Sequence, residues 1–244
     1  MKKVLVPAVV VGVIFGTSAA AQQITGGEVE LSYQTYTDTD VDQIGLNGAI
    51  EVGFSRNLGV QADLGFNSLS DGADDVSITN FTLHGLFHSS QTTSFGGYLG
   101  QNHLSNGTSE TVEHYGIEAG FEFGTSDLEI FLGQISNSGE DATEFGIEYG
   151  RMFMDALEIT GAIDVVNFDG GVTTARYGIR GDYEVRDGIG VFGGLSQVEA
   201  DTPFGGATSE LNIVVGATYT FGDERGATFG SRGSVGGGFF NITR

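Results

Sequence analysis

The stretch Leu211-Asn212-Ile213-Val214-Val215-Gly216-Ala217-Thr218-Tyr219-Thr220-Phe221 decides the fold of this chain. Leu211, Ile213, Val215, Ala217, Tyr219 and Phe221 share one parity. Asn212, Gly216, Thr218 and Thr220 share the other, with Val214 the exception. Side chains of a strand point alternately to its two faces, so one face here is apolar and the other polar or small. The run is about eleven residues, the length a tilted strand needs to cross a bilayer. A single strand in hydrocarbon leaves its backbone N–H and C=O groups unpaired, and only a closed barrel pairs them all.

The same rhythm recurs upstream. Ile44, Leu46, Ile50, Val52 and Phe54 alternate with Asn47, Ala49, Glu51 and Gly53. Val60, Ala62, Leu64 and Phe66 alternate with Gln61, Asp63, Gly65 and Asn67. Tyr115, Ile117, Ala119, Phe121 and Phe123 alternate with Gly116, Glu118, Gly120 and Glu122. Segments at 157–165 and 177–183 repeat it. The connections also alternate in kind. Arg56-Asn57, Thr125-Ser126, Met154-Asp155 and Arg186-Asp187 are tight. Those around 38–41, 71–75, 106–109, 138–141, 169–171 and 201–206 are longer and mostly acidic. Tight turns on one side and longer loops on the other, with both chain ends on the tight-turn side, require an even strand count. The pattern predicts an all-β, closed antiparallel transmembrane barrel of about twelve strands with short periplasmic turns. It runs from roughly Gly26 to Phe221.

Composition agrees. Lys2 and Lys3 precede an apolar run, Val4 to Phe15, and Ala19-Ala20-Ala21 offers a cleavage site. Residues 1–21 therefore read as a secretory signal peptide. The barrel occupies 22–221, and 222–244 forms a glycine-rich tail. The chain carries 10 Lys+Arg against 32 Asp+Glu, so it has no basic footprint for nucleic acid. It has no cysteine, which excludes disulfides and thiolate chemistry. Gly is 41 of 244 while Pro is only 2, which suits curved strands around a lumen of small side chains and excludes a proline-rich disordered chain. A repeat is visible: Leu99-Gly100-Gln101 before Tyr115-Gly116-Ile117-Glu118 matches Leu132-Gly133-Gln134 before Phe145-Gly146-Ile147-Glu148. Each unit is one hairpin, as in a barrel grown by hairpin duplication.

Gly216-x-x-Tyr219-x-Phe221 resembles the C-terminal assembly signal of the outer-membrane β-barrel superfamily, although here the chain runs on to Arg244. With the signal peptide and the strand rhythm, the chain resembles the small Gram-negative porin-type barrels. The resemblance implies the outer membrane as location. Its implied partners are outer-membrane lipids, lipopolysaccharide, the barrel-assembly machinery and small hydrophilic solutes. It implies no cofactor and no metal.

If the apolar parity faces lipid, the lumen receives Glu51, Asp63, Glu118, Glu122, Glu144, Glu148, Glu158, Asp164 and Asp182, with Arg176 and Arg180 opposing them. Carboxylates lining a pore favour cations, and arginines facing acids set up a transverse field. The expected function is passive diffusion of small solutes with a preference for cations; the alternative is a filled, non-conducting barrel. A second class is open. His103-Leu104-Ser105-Asn106 resembles the His-x-Ser-Asn segment of outer-membrane phospholipase A and lipid A deacylases. That resemblance implies Ser105 as nucleophile, His103 as base and Glu113, across from His103, as orienting group. The acids at 38, 40 and 42 lack the glycine and glutamate of a calcium loop, which excludes an EF-hand. His84 and His88 share one strand face without a companion motif. The tail carries Arg225, Arg232 and Arg244 against Asp223 and Glu224, so it is expected at the acidic periplasmic mouth, disordered or loosely docked there.

Overall fold

Among the described residues twelve strands follow one another and pair each with the next, and the first pairs with the last. In this computed structural model the described residues are 23–39, 41–70, 75–137, 140–202, 206–222 and 228–232. The strands are β1 (Gln23–Tyr36), β2 (Asp42–Gly53), β3 (Leu58–Ser70), β4 (Asp75–His88), β5 (Thr93–Ser105) and β6 (Ser109–Phe123). They continue as β7 (Ser126–Asn137), β8 (Glu140–Met154), β9 (Leu157–Phe168), β10 (Thr173–Arg186), β11 (Ile189–Thr202) and β12 (Gly206–Gly222). Closure runs from Gly26 opposite Gly222 to Tyr36 opposite Asn212. Every pairing is antiparallel, and because β1 closes onto β12 the barrel has no free edge.

The alternation decides which side chains go where. Ile44, Leu46, Leu64, Phe66, Ile117, Ile179 and Tyr219 are exposed on the outer wall. The largest fully buried side chains include Arg180, His84, His114, Gln43, Gln61 and Glu51. Ile179 is 54% exposed and its neighbour Arg180 is 1% exposed. This inversion of the usual order is what a bilayer outside and a polar lumen inside demand. Val214, out of step in the sequence pattern, is buried against Phe192 within the barrel.

The turns at one end are residues 54–57, 89–92, 124–125, 155–156 and 187–188. Gly124 and Gly188 have φ of +70° in the two-residue turns, a conformation that favours glycine. The turn at 89–92 lacks the usual glycine, proline, asparagine or aspartate signal. Hydroxyls supplement its backbone bonding: Thr92 N–H donates to Ser90 Oγ at 3.1 Å and Ser89 Oγ donates to the Thr93 carbonyl at 3.1 Å, beside the backbone bond from Ser89 N–H to the same carbonyl at 3.0 Å. Both barrel ends of the chain, Gln23 and Gly222, lie at this short-turn end, where the connections run two to four residues; those at the other end run two to five.

Candidate functional site in the barrel interior

The interior is organised around two arginines on opposite sides. The first belongs to the wall. Arg180 of β10 donates from Nη1 to Glu30 Oε2 of β1 at 2.8 Å. Its Nε and Nη2 reach Asp182, at 2.9 and 2.7 Å to Oδ1. Its guanidinium lies 3.5 Å from the centroid of Phe192. Beside it opens a cavity of about 210 Å³, lined by Glu28, Glu158, Thr160, Asp182, Glu184 and Thr218 among others, near the short-turn end.

The opposite wall carries a dense polar network. His84 of β4 meets Asp63 Oδ2 through Nε2 at 2.8 Å and Glu118 Oε1 through Nδ1 at 2.7 Å. Both ring nitrogens therefore face carboxylates, which a hydrogen bond at each satisfies only with a proton on both contacts. Gln61 donates to Asp63 Oδ1 at 2.9 Å, and Thr25 to Glu51 Oε1 at 2.8 Å. Toward the loop end the network becomes amide-rich: Gln43 donates to Asn67 at 2.9 Å and Asn80 to Asn102 at 2.7 Å. Beyond it Val112, Ile135 and Ala142 form an apolar patch on β6–β8, packed by Leu104, Val166 and Phe168.

Thr228–Arg232 lie inside the barrel against this second wall. Phe229 is fully buried and stacks on His84, ring centroids 6.5 Å apart. Gln61 reads its backbone twice, donating to the Phe229 carbonyl at 2.6 Å and accepting from its N–H at 3.1 Å. Thr228 binds Glu51 through N–H and hydroxyl. Arg232 is the second arginine. Its Nε donates to Glu118 Oε2 at 3.1 Å, its Nη2 pairs with Glu129 Oε1, and its guanidinium lies 4.1 Å from the Phe131 centroid. The partners of Thr228 lie near the short-turn end, while the Arg232 carbonyl accepts from Asn80 and Thr82, further along β4. The segment thus runs inward from that end. The sequence places the tail at the mouth; in the structure the lumen holds the backbone of 228–232 at several points, and residues 223–227 and 233–244, with Phe239-Phe240, lie outside the described residues.

The acids expected to face inward divide by position. Glu51, Asp63 and Glu118 join the His84 and tail network. Glu144, Glu148, Glu158, Asp164, Arg176, Arg180 and Asp182 stand on the inward parity of β8–β10, where Arg176 lies opposite Asp164 and Asp182 opposite Glu158. Glu122 is exposed at the short-turn rim, one residue from the end of β6. Glu28, Glu30, Asp127 and Glu129 are also buried, and the parity rule applied to β1 and β7 finds them.

His103 and Ser105 stand on the outward parity near the loop end of β5, both exposed. The pairing sets Ser105 opposite Ser109, His103 opposite Thr111 and Gln101 opposite Glu113. Glu113 is therefore not across from His103, whose Nδ1 instead lies 3.3 Å from Thr111 Oγ1. Among the described residues no hydrogen bond joins Ser105 to His103.

Among the solved structures that resemble this chain are two porins. The KdgM porin matches with a TM-score of 0.57 at 9% identity, covering 80% of this chain and 99% of that one. The NanC porin matches with a TM-score of 0.60 at 7% identity, covering 78% and 98%. The fold is that of the porins. No protein-family profile and no curated protein matches the sequence. A further KdgM structure, in complex with disordered oligogalacturonate, matches at 0.56 and 10% identity, covering 80% and 99%. At these identities the likeness concerns the barrel itself.

Proposed function

We propose that the protein is a porin-like channel of the outer membrane through which small hydrophilic solutes diffuse, with a preference for cations. The observation that carries this reading is the division of the interior. The tail segment packs against β2–β7, while the half walled by β8–β12 and β1 keeps a polar cavity beside Arg180. That half is rich in carboxylates: Glu28, Glu148, Glu158, Asp164, Asp182 and Glu184 stand against Arg176 and Arg180. A lumen whose fixed charge is negative concentrates cations, and a cation held against one wall turns the field across the pore. The lipids and lipopolysaccharide around the barrel are its partners in this reading, and the solutes pass without a cofactor.

Reconstitution into a planar bilayer tests it. The expected result is a stepwise conductance with a reversal potential that favours K⁺ over Cl⁻. Glu148→Gln with Glu158→Gln should move that potential toward zero. Absence of conductance overturns the channel, and an anion preference that these substitutions leave unchanged overturns the cation preference. A non-conducting barrel is the second reading, and the burial of Phe229 and Arg232 inside the lumen is what favours it.

A further inference from the structure

Arg232 sits in a seat that the barrel builds for a guanidinium. Glu118 of β6 and Glu129 of β7 supply the two carboxylates, and Phe131 supplies a ring face beneath the cation. Tyr98 stands at 6.0 Å from the same guanidinium. A planar cation that both stacks and donates in its own plane matches this set better than an ammonium does. The barrel contains the same construction a second time: Arg180 lies between Glu30 and Asp182 with Phe192 against its guanidinium. The two seats differ in one respect. Arg180 is fixed in the wall, whereas Arg232 arrives on a segment that continues from the last strand.

The rest of that segment is also held by features of the wall. Gly96 and Gly120 leave the space that the Phe229 ring occupies: a Cβ at Gly96 would lie 2.8 Å from Phe229 Cε2, and one at Gly120 3.3 Å from Cε1. At Gly120 the Phe229 ring is the only group such a Cβ would meet within 4 Å among the described residues. Gln61 satisfies both backbone groups of Phe229, and Gly230 N–H donates to Glu129 Oε2 at 3.3 Å. Buried backbone groups need such partners, and here the lumen wall provides them in place of a sheet or helix.

We propose that this seat is a binding site for guanidinium-bearing solutes, and that Arg232 is its tethered occupant, displaced when such a solute enters. The proposal deepens the channel reading by naming a solute class. A tethered occupant acts at a high effective concentration, so a free solute competes poorly until the tether is weakened. Removing the arginine or lifting the segment therefore opens the seat.

Calorimetric titration of the full-length, detergent-folded protein with free arginine tests this without reference to conductance. Arg232→Gln should bind arginine at least tenfold more tightly than the unaltered protein. Adding Glu129→Gln to that variant should abolish the binding. Gln61→Ala, which removes both side-chain bonds to the Phe229 backbone and leaves the seat strands β6 and β7 untouched, should produce the same gain and serves if Arg232→Gln does not fold. Folding of each variant is checked by heat-modifiable migration. Equal affinity in the unaltered protein and a folded open-seat variant, or no binding in a folded open-seat variant, overturns the proposal. A protein that binds arginine in this way yet shows no current would remove the channel reading and leave the seat standing.

Discussion

Arg180 and Glu30 meet inside the barrel, Nη1 to Oε2 at 2.8 Å, although their strands β10 and β1 are separated around the wall by β11 and β12. The contact is therefore a tie across the curvature of the barrel. Glu30 is 4% exposed, so removing its partner strands a carboxylate away from bulk water. Arg180→Gln should destabilise the barrel by roughly 3–5 kcal/mol, toward the lower end because the adjoining cavity lets water reach Asp182. A fall in the temperature at which the folded form disappears from a detergent gel checks it. The same variant removes a positive charge from the proposed cation-preferring half, so its reversal potential should move further toward the K⁺ limit.

Ile179 and Arg180 are neighbours on opposite faces, which makes a direct test of which side is lipid. An arginine at 180 is tied in place by two carboxylates. An arginine at 179 would stand in the middle of β10 on the outer wall. Ile179→Arg should cost about 2–4 kcal/mol, the price of a charge at the bilayer midplane. Denaturant titration of folding into lipid vesicles reads the difference, and a neutral result would place that face in water.

Much of the architecture was legible in the sequence because membrane and lumen impose opposite demands on adjacent residues. That is why Tyr115, Ile117 and Phe123 marked the outer wall and Glu118 the inner one. The turn at 89–92 was not legible, since Ser89-Ser90-Gln91-Thr92 contains no glycine, proline, asparagine or aspartate, and serine and threonine hydroxyls mark a turn more weakly. The partner of His103 was not legible either. Strand register in a hairpin follows from its loop, and with only 106–108 between β5 and β6 the pairing falls on Thr111, two positions short of Glu113. Charge alone pointed the tail to the acidic periplasmic mouth. Its contacts, such as Gln61 with Phe229 across 168 residues, depend on closure of the whole barrel and leave no local trace.

The register of that hairpin bears on the hydrolase alternative. An activated serine needs its base within hydrogen-bond reach and a third group to hold the base. His103 contacts Thr111, and Glu113 lies beside Gln101. Ser105→Ala and His103→Ala should therefore leave turnover of phospholipid and lipid A vesicles at the level of the unaltered protein. A drop of tenfold or more in either variant would return the enzyme reading to consideration.

Gly216, the first residue of the C-terminal motif, supports Arg180 indirectly. A Cβ at this position would overlap the Phe192 ring and stand against the Leu31 carbonyl. Phe192 in turn packs on the Arg180 guanidinium. Gly216→Ala should displace the ring and loosen the tie to Glu30, at a cost of about 1–3 kcal/mol for overpacking an ordered interior. Gly193 provides the control, since it is exposed on the outer wall and the nearest group to its added Cβ is the Val214 carbonyl at 3.8 Å. Gly193→Ala should fold as the unaltered protein does. Parallel denaturant titrations of the two variants decide the matter: if both lose stability equally, the effect belongs to strand glycines in general and not to the Phe192 contact.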